Sequence, residues 1–327
     1  MSEPQVVASR YAPGAVDDAE RRRLWRAALK WPMYAVAVMP VLLAAGWRLG
    51  QGQGLRVDQL LLFLLAAVLL LGWENLANDA YDADTGVDTQ GKPHSVVQLT
   101  GRRDRVLQLA HGCLVLGLAL MALVALRSSG AVLLLVLLCC GLGYLYQGPP
   151  FRLGYRGLGE PLCWLAFGPC ATAAALLALA PAGAEGIPWG PALVLGSGPA
   201  LATCLVLFCS HFHQVEEDAA HGKNSPVVRL GTRRAAALVP WFVAGALALQ
   251  WAPVLLGWWP LSALLGAIGL PPARALIRLL GEEHHRPERI VGSKFLALRF
   301  QALNGFGLAC GLAMAPWLAG LAGLVGR

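Results

Sequence analysis

Charge is scarce in this chain. Asp, Glu, Lys and Arg make up 14% of its 327 residues, against 57% hydrophobic, where a soluble domain averages about 25% charged. Too few polar side chains remain to cover a water-facing globule, and a disordered chain is excluded on the same grounds. No C-x-x-C pair is present. The eight cysteines, Cys113, Cys139, Cys140, Cys163, Cys170, Cys204, Cys209 and Cys310, all lie inside apolar stretches. That placement excludes a disulfide scaffold and gives no zinc or redox motif, and it suits small apolar fillers. The first 30 residues lack an early apolar run, so no cleavable signal peptide is expected there. Two segments follow: a basic cytoplasmic tail over residues 1–30 and a membrane domain over 31–327.

What is present is a series of apolar runs long enough to cross a bilayer, each needing about 20 residues. Trp31–Trp47, Gln59–Ala77, Val106–Leu126, Ser128–Gln147, Pro161–Ala184, Gly186–Ser210 and Phe300–Gly326 each give one span. Gln59–Ala77 is interrupted only by Glu74. Ala235–Ala273 is long enough for two, with a break expected near Gly257 to Pro260. The fold class is therefore all-α integral membrane, a single bundle of nine transmembrane helices. Nine spans divide the 26 Lys and Arg residues 22 to 4 between the two faces. Basic residues mark the cytoplasmic face, so the N-terminus and the richer loops are expected there. The net charge of +7 then reflects topology and an anionic lipid surface, and no nucleic-acid partner is implied.

Two loops on the richer face repeat each other. Gly91-Lys92 with Val96-Val97, Leu99 and Arg102-Arg103 matches Gly222-Lys223 with Val227-Val228, Leu230 and Arg233-Arg234 at a constant shift of 131 residues. Each follows an even-numbered span, so the halves form a parallel repeat whose interface would collect both loops.

Ahead of the first loop stand Asn75, Asn78, Asp79 and Asp82. In a continuous helix they fall at i, i+3, i+4 and i+7 on one face. Like carboxylates so spaced repel, and Leu76–Asp88 contains no basic residue. A divalent cation is the natural compensation; Mg²⁺ takes hard oxygen ligands and keeps waters that phosphate can replace. Ahead of the second loop, Gln214, Glu217 and Asp218 offer an amide oxygen and two carboxylates on one face. His211 and His213 would point apart on a helix and so cannot share an ion there; contact with substrate or orientation is expected of them. Lys92 and Arg102 follow the first cluster, Lys223 and Arg229 the second. Carboxylates, Mg²⁺ and flanking cations together suit a diphosphate, and an apolar bundle beneath them suits a hydrocarbon tail.

A third loop, Gly143 to Glu160, lies on the same face. Arg152 and Arg156 are candidate phosphate clamps. Tyr144, Tyr146 and Tyr155 are candidate π faces for a developing carbocation, or interfacial anchors. Glu160 is a candidate base or hydrogen-bond partner. A transporter is the rival class, but transporters place their charges near the bilayer midplane, and here both clusters sit at one face.

These segments resemble the UbiA-type intramembrane aromatic prenyltransferases over most of the chain. The family pattern N-x-x-N-D-x-x-D stands here as Asn75 to Asp82. Its G-x-x-Y-x-G-P-x-x-L-x-Y-x-G-x-G-E stretch stands as Gly143 to Glu160. Its second motif stands as Gln214 to Asp218, then Gly222-Lys223 and Val228-Arg229-Leu230-Gly231. The usual first Asp of that motif is Gln214 here. The string from His211 to Asp218 is similar to the cyanobacterial and plastid subgroup that prenylates the naphthoate precursor of phylloquinone, where this Gln is expected. The resemblance implies cytoplasmic cap loops over a central cavity and Mg²⁺ held by Asn75, Asp79, Asp82, Gln214, Glu217 and Asp218. It implies phytyl diphosphate as donor, 1,4-dihydroxy-2-naphthoate (2-carboxy-1,4-naphthoquinone) as acceptor, and an inner or thylakoid membrane. Asn78 completes the catalytic set, and Lys92, Arg152, Lys223, Arg229, Tyr144, Tyr146, Tyr155, Glu160 and His213 form the substrate-binding set. Another aromatic acceptor, such as homogentisate, is the alternative within the family.

Overall fold

The structure is a computed structural model that describes residues 17–87, 92, 94–184 and 186–318. The described residues contain no strand and nine helices long and apolar enough to cross a membrane. Asp88, named above as the end of the first acidic run, lies outside the described residues.

The later part of the basic tail is helical. Helix α1 (Asp18–Ala28) has Asp18 and Glu20 in its first turn and Arg26 in its last, the distribution that the helix dipole favours. Lys30 then takes a left-handed conformation, φ 48°. It turns the chain through a short 3₁₀ segment, Trp31–Met33, into α2 (Tyr34–Gly50), the first span. Helix α3 (Val57–Thr85) has 29 residues, roughly 43 Å at about 1.5 Å per residue. That exceeds the ~30 Å hydrocarbon core. The expected span ended at Ala77; the helix runs on to Gly86, and its polar end carries Asn75 to Asp82 out on one face.

Helices α4 (Val96–Thr100) and α5 (Arg103–Leu126) follow, then α6 (Gly130–Gln147). The fifth span is broken into α7 (Gly159–Leu165) and α8 (Ala171–Leu179) around Gly168, whose φ −90° and ψ −105° are non-helical. Pro169, which cannot supply a backbone N–H, adjoins that break. Helix α9 (Trp189–Ser210) leads through a 3₁₀ turn, Phe212–Gln214, to α10 (Val215–Ala220), α11 (Pro226–Leu230) and α12 (Thr232–Leu255). The break expected near Gly257 to Pro260 falls between α12 and the 3₁₀ segment Leu261–Gly269, which opens the eighth span and continues as α13 (Leu270–Glu283).

The last span corrects the sequence reading. It was expected over Phe300–Gly326. After α14 (Pro287–Ile290), helix α15 begins at Ser293 and runs to Ala313. Lys294 and Arg299 lie inside its first turns. Long basic side chains lay their stems along apolar surface and keep their charge at the interface, so they do not end a span.

The repeat is visible in the fold. Helices α4 and α11 are both five-residue helices, each preceded by a serine (Ser95, Ser225) and ended by a positive-φ glycine (Gly101, Gly231). Each leads into a 24-residue helix, α5 or α12. These caps and the ends of α3 and α9 share one end of the bundle. Beneath them lie two apolar clusters, one around Leu43, Met121 and Leu179, the other around Phe208, Phe212 and Phe300.

Candidate active site

Asp79 is 2% exposed, at the interface end of α3. The Lys30 ammonium donates to its Oδ1 at 3.1 Å, and Lys92 Nζ stands 3.3 Å from the same oxygen. The Val96 backbone N–H, at the start of cap helix α4, donates to Oδ2 at 2.9 Å. Lys92 also reaches Asn78 Oδ1 at 3.4 Å. The carboxylate is thus held by two cations and a helix N-terminus.

One turn on, Asp82 is equally buried. It accepts a hydrogen bond from the Tyr155 hydroxyl at 2.8 Å, and Thr85 Oγ1 lies 2.8 Å from that hydroxyl. Burial, then the neighbouring Asp82, push the Tyr155 hydroxyl well above the usual phenol range. It therefore stays a donor at any physiological pH.

The second half supplies Asp218, fully buried in α10. His211 Nδ1 is 3.2 Å from its Oδ2, and Lys223 Nζ is 3.6 Å from its Oδ1. The latter is too long for a hydrogen bond, and Asp218 Oδ1 has no hydrogen-bond partner among the described residues. Lys223 Nζ also lies 5.4 Å from the centroid of the Tyr155 ring. Tyr155 therefore stands between the two clusters, its hydroxyl on Asp82 and its ring under the cation paired with Asp218. The Tyr155 carbonyl accepts the Asn224 N–H at 2.8 Å, which ties the third loop to the second repeat loop.

Other sequence candidates fall into place around this link. Arg152, at φ 43°, sets its guanidinium 5.7 Å from the Tyr155 centroid. Arg229 donates to the carbonyls of Asn224 (3.0 Å) and Arg156 (2.7 Å) and so staples two loops together. The Tyr144 hydroxyl donates to the Pro149 carbonyl at 2.6 Å, and its ring stands edge-on to Tyr81; it fastens the third loop. Tyr146 lies against Gly154 and Gly159, where any Cβ would meet its ring. Glu160 is buried with neither carboxylate oxygen partnered among the described residues. Gln214, Glu217 and half-buried His213 lie at the turn into α10, and Asn75 stands one turn below Asp79. Lys30 was missed in the sequence. A lysine at the mouth of a first span reads as a topology signal, and nothing local marks it as Asp79's partner.

Among the described residues, no three His, Cys, Asp or Glu side chains converge as a ready-made ion cage. The donors nonetheless fit Mg²⁺. They are hard oxygens in two stacks, and one, Asp218 Oδ1, is buried with no hydrogen bond.

Fold and site together define an apolar helical bundle whose two halves each bring an acidic cluster and a lysine to one end. The chain matches the model of the UbiA prenyltransferase family over residues 37–299, and it belongs to that family of membrane prenyltransferases. It is 39% identical to the 2-carboxy-1,4-naphthoquinone phytyltransferase of Synechocystis over 95% of this chain and 98% of that protein. It is also 39% identical to the chloroplastic 2-carboxy-1,4-naphthoquinone phytyltransferase of Arabidopsis thaliana, over 89% of this chain and 77% of that one. In fold it resembles a UbiA homolog from Archaeoglobus fulgidus bound to DMAPP and Mg²⁺. That match has a TM-score of 0.55 at 18% identity and covers 88% of this chain and 97% of that one.

Proposed function

We propose that this enzyme transfers a phytyl group from phytyl diphosphate to 1,4-dihydroxy-2-naphthoate (2-carboxy-1,4-naphthoquinone), releasing CO₂ and diphosphate. The product is demethylphylloquinone at the oxidation level of the acceptor, the quinol from the dihydroxynaphthoate and the quinone from the carboxynaphthoquinone, a step in phylloquinone biosynthesis. The observation that carries the reading is the run Asp82–Tyr155–Lys223–Asp218, which joins both acidic clusters at one end of an apolar bundle. The two phytyltransferase relatives support the choice of donor and acceptor.

Asn75, Asp79 and Asp82 from one half, and Asp218 with Gln214 and Glu217 from the other, are the residues that would hold Mg²⁺, with Asn78 beside them. When bound, the ion acts as a Lewis acid that draws charge from the departing diphosphate. Lys92, Lys223 and Arg152 neutralise the remaining phosphate charge, and Arg229 fixes the loops that present them. Stabilising the leaving group is where most of the rate enhancement lies. The Tyr146 and Tyr155 rings face the developing allylic cation, and the apolar bundle keeps water from it. The acceptor ring attacks the allylic carbon, and loss of its carboxylate as CO₂ returns the electron pair that restores aromaticity. No strong protein base is required.

The test is product analysis by mass spectrometry. Phytyl and geranylgeranyl diphosphates are offered with naphthoate and homogentisate in detergent with Mg²⁺. Phytylated, decarboxylated naphthoate is expected as the main product. Asp79→Ala and Asp218→Ala should each cut turnover by about 10²-fold or more while the protein still inserts. Near wild-type turnover in either variant would overturn the metal assignment, and a homogentisate product would overturn the acceptor.

A further inference from the structure

Helix α3 is apolar from Leu60 to Trp73 and then carries Glu74, which neither acidic cluster uses. An ionisable side chain within a span is costly and marks a functional position by default. Glu74 lies five residues before Asp79, about 7.5 Å deeper at ~1.5 Å per residue. Its carboxyl faces Gly143 of α6: Oε2 is 2.5 Å from where a Cβ on Gly143 would stand, and Oε1 is 3.4 Å from it. Any larger residue there would displace the carboxyl. Gln147, 2% exposed, donates from Nε2 to the Glu74 backbone carbonyl at 3.0 Å and fastens the two helices around it.

No hydrogen bond or ion pair to the Glu74 carboxyl is found among the described residues. Its electrostatic neighbours are Tyr146, Tyr81 and Cys140. The Tyr146 hydroxyl also lies in the fields of Asp82, Lys223 and Glu160. Tyr146 thus lies within electrostatic reach of both Glu74 and the phosphate-level groups. Glu160 is buried, whereas Glu74 is half-buried.

The allylic carbon of a prenyl diphosphate is one bond from its phosphate oxygen. The ring that attacks it must lie just below the phosphates, at the depth of Glu74. A naphthoate with two ring oxygens is flat and apolar apart from those oxygens and its carboxylate, and in a dry site each polar group needs a partner.

We propose that Glu74 is an acceptor-binding residue that hydrogen-bonds one ring oxygen of the aromatic acceptor and so orients the ring toward the allylic carbon. This rests on the phytyl-transfer reading. Gly143 leaves the room that the carboxyl occupies.

The test uses the full-length enzyme in detergent with phytyl diphosphate, comparing wild type with Glu74→Gln and Glu74→Leu. In Glu74→Leu the naphthoate KM should rise roughly tenfold, the loss of one hydrogen bond in a dry site, with the phytyl diphosphate KM unchanged. Glu74→Gln preserves shape and should show a smaller rise, again confined to naphthoate. It carries the test alone if the leucine variant does not fold. 1-Hydroxy-2-naphthoate and 4-hydroxy-2-naphthoate, used as competitive inhibitors, identify the oxygen: the one that lacks it should bind wild type and variant equally. An unchanged naphthoate KM, or both KM values rising together, overturns the proposal while leaving the phytyl-transfer reading intact. A wild type that makes no phytylated naphthoate overturns both.

Discussion

At the scale of single residues, Tyr155 is the most informative side chain, because one hydroxyl and one ring connect the two halves. Tyr155→Phe keeps the ring beneath Lys223 but removes the donor to Asp82 at 2.8 Å. A buried carboxylate that loses a donor costs about 1–3 kcal/mol. Turnover should fall by roughly tenfold or more and the melting temperature by a few degrees, as steady-state kinetics and a thermal melt would show together. His94 offers a pH test. Burial, and then the ammonium groups of Lys294, Lys92 and Lys30, push its imidazole down to about 4 from 6.5. In the window between those values the unfolded chain holds a proton that the native protein lacks, so stability falls as pH falls through it. His94→Asn should flatten that part of the curve, read as the melting temperature of detergent-solubilised protein between pH 4.5 and 7. Asn75, Asp79 and Asp82 were legible because a 3.6-residue period stacks them whatever the tertiary fold. Lys30 and His94 were not, since their meaning comes from Asp79 and Lys294, far away in sequence.

At the scale of elements, the eighth span owes its broken start to a partner that hydropathy does not reveal. Gln250 of α12 and Asn304 of α15 exchange two amide hydrogen bonds, at 2.7 and 3.0 Å. Asn304 Nδ2 also donates to the Gly266 carbonyl at 3.0 Å, within the 3₁₀ segment Leu261–Gly269. Both side chains are at most 1% exposed. The shorter 3₁₀ repeat frees a carbonyl, and an amide from a neighbouring helix satisfies it. Asn304→Ala strands both the Gln250 amide and that carbonyl. The expected loss is about 1–2 kcal/mol, seen as a lower melting temperature in detergent, while Gln250→Leu with Asn304→Leu should recover part of it. Span number and order were readable because each apolar run is long enough to cross the bilayer. The ends of α3 and α15 were not. Asn75–Asp82 stays helical past the hydrocarbon, and Lys294 and Arg299 begin a span by keeping their charges at the interface.

At the scale of the whole molecule, the repeat explains why a site of this kind lies at one end of the bundle. Each half presents carboxylates at or just beyond the end of a long helix (the end of α3, and α10 following α9), a lysine after them, and a five-residue cap helix. Two such units on the same face bring acids from both halves and lysines from both loops to one end of the bundle. An inverted repeat would have placed them on opposite sides of the bilayer. The same geometry fixes a topology prediction. If the 22-to-4 division of Lys and Arg sets orientation, then exposed Glu216, beside the second acidic cluster, and exposed Asp18, in α1, both face the cytoplasm. Exposed Gln53, in the α2–α3 turn, faces the other side. In a cysteine-free background, Glu216→Cys and Asp18→Cys should resist a membrane-impermeant maleimide in right-side-out vesicles and react in inverted ones, with Gln53→Cys doing the reverse. Glu216 and Asp18 reacting from opposite sides would break the alternation of spans, and with it the shared pocket on which the chemistry depends.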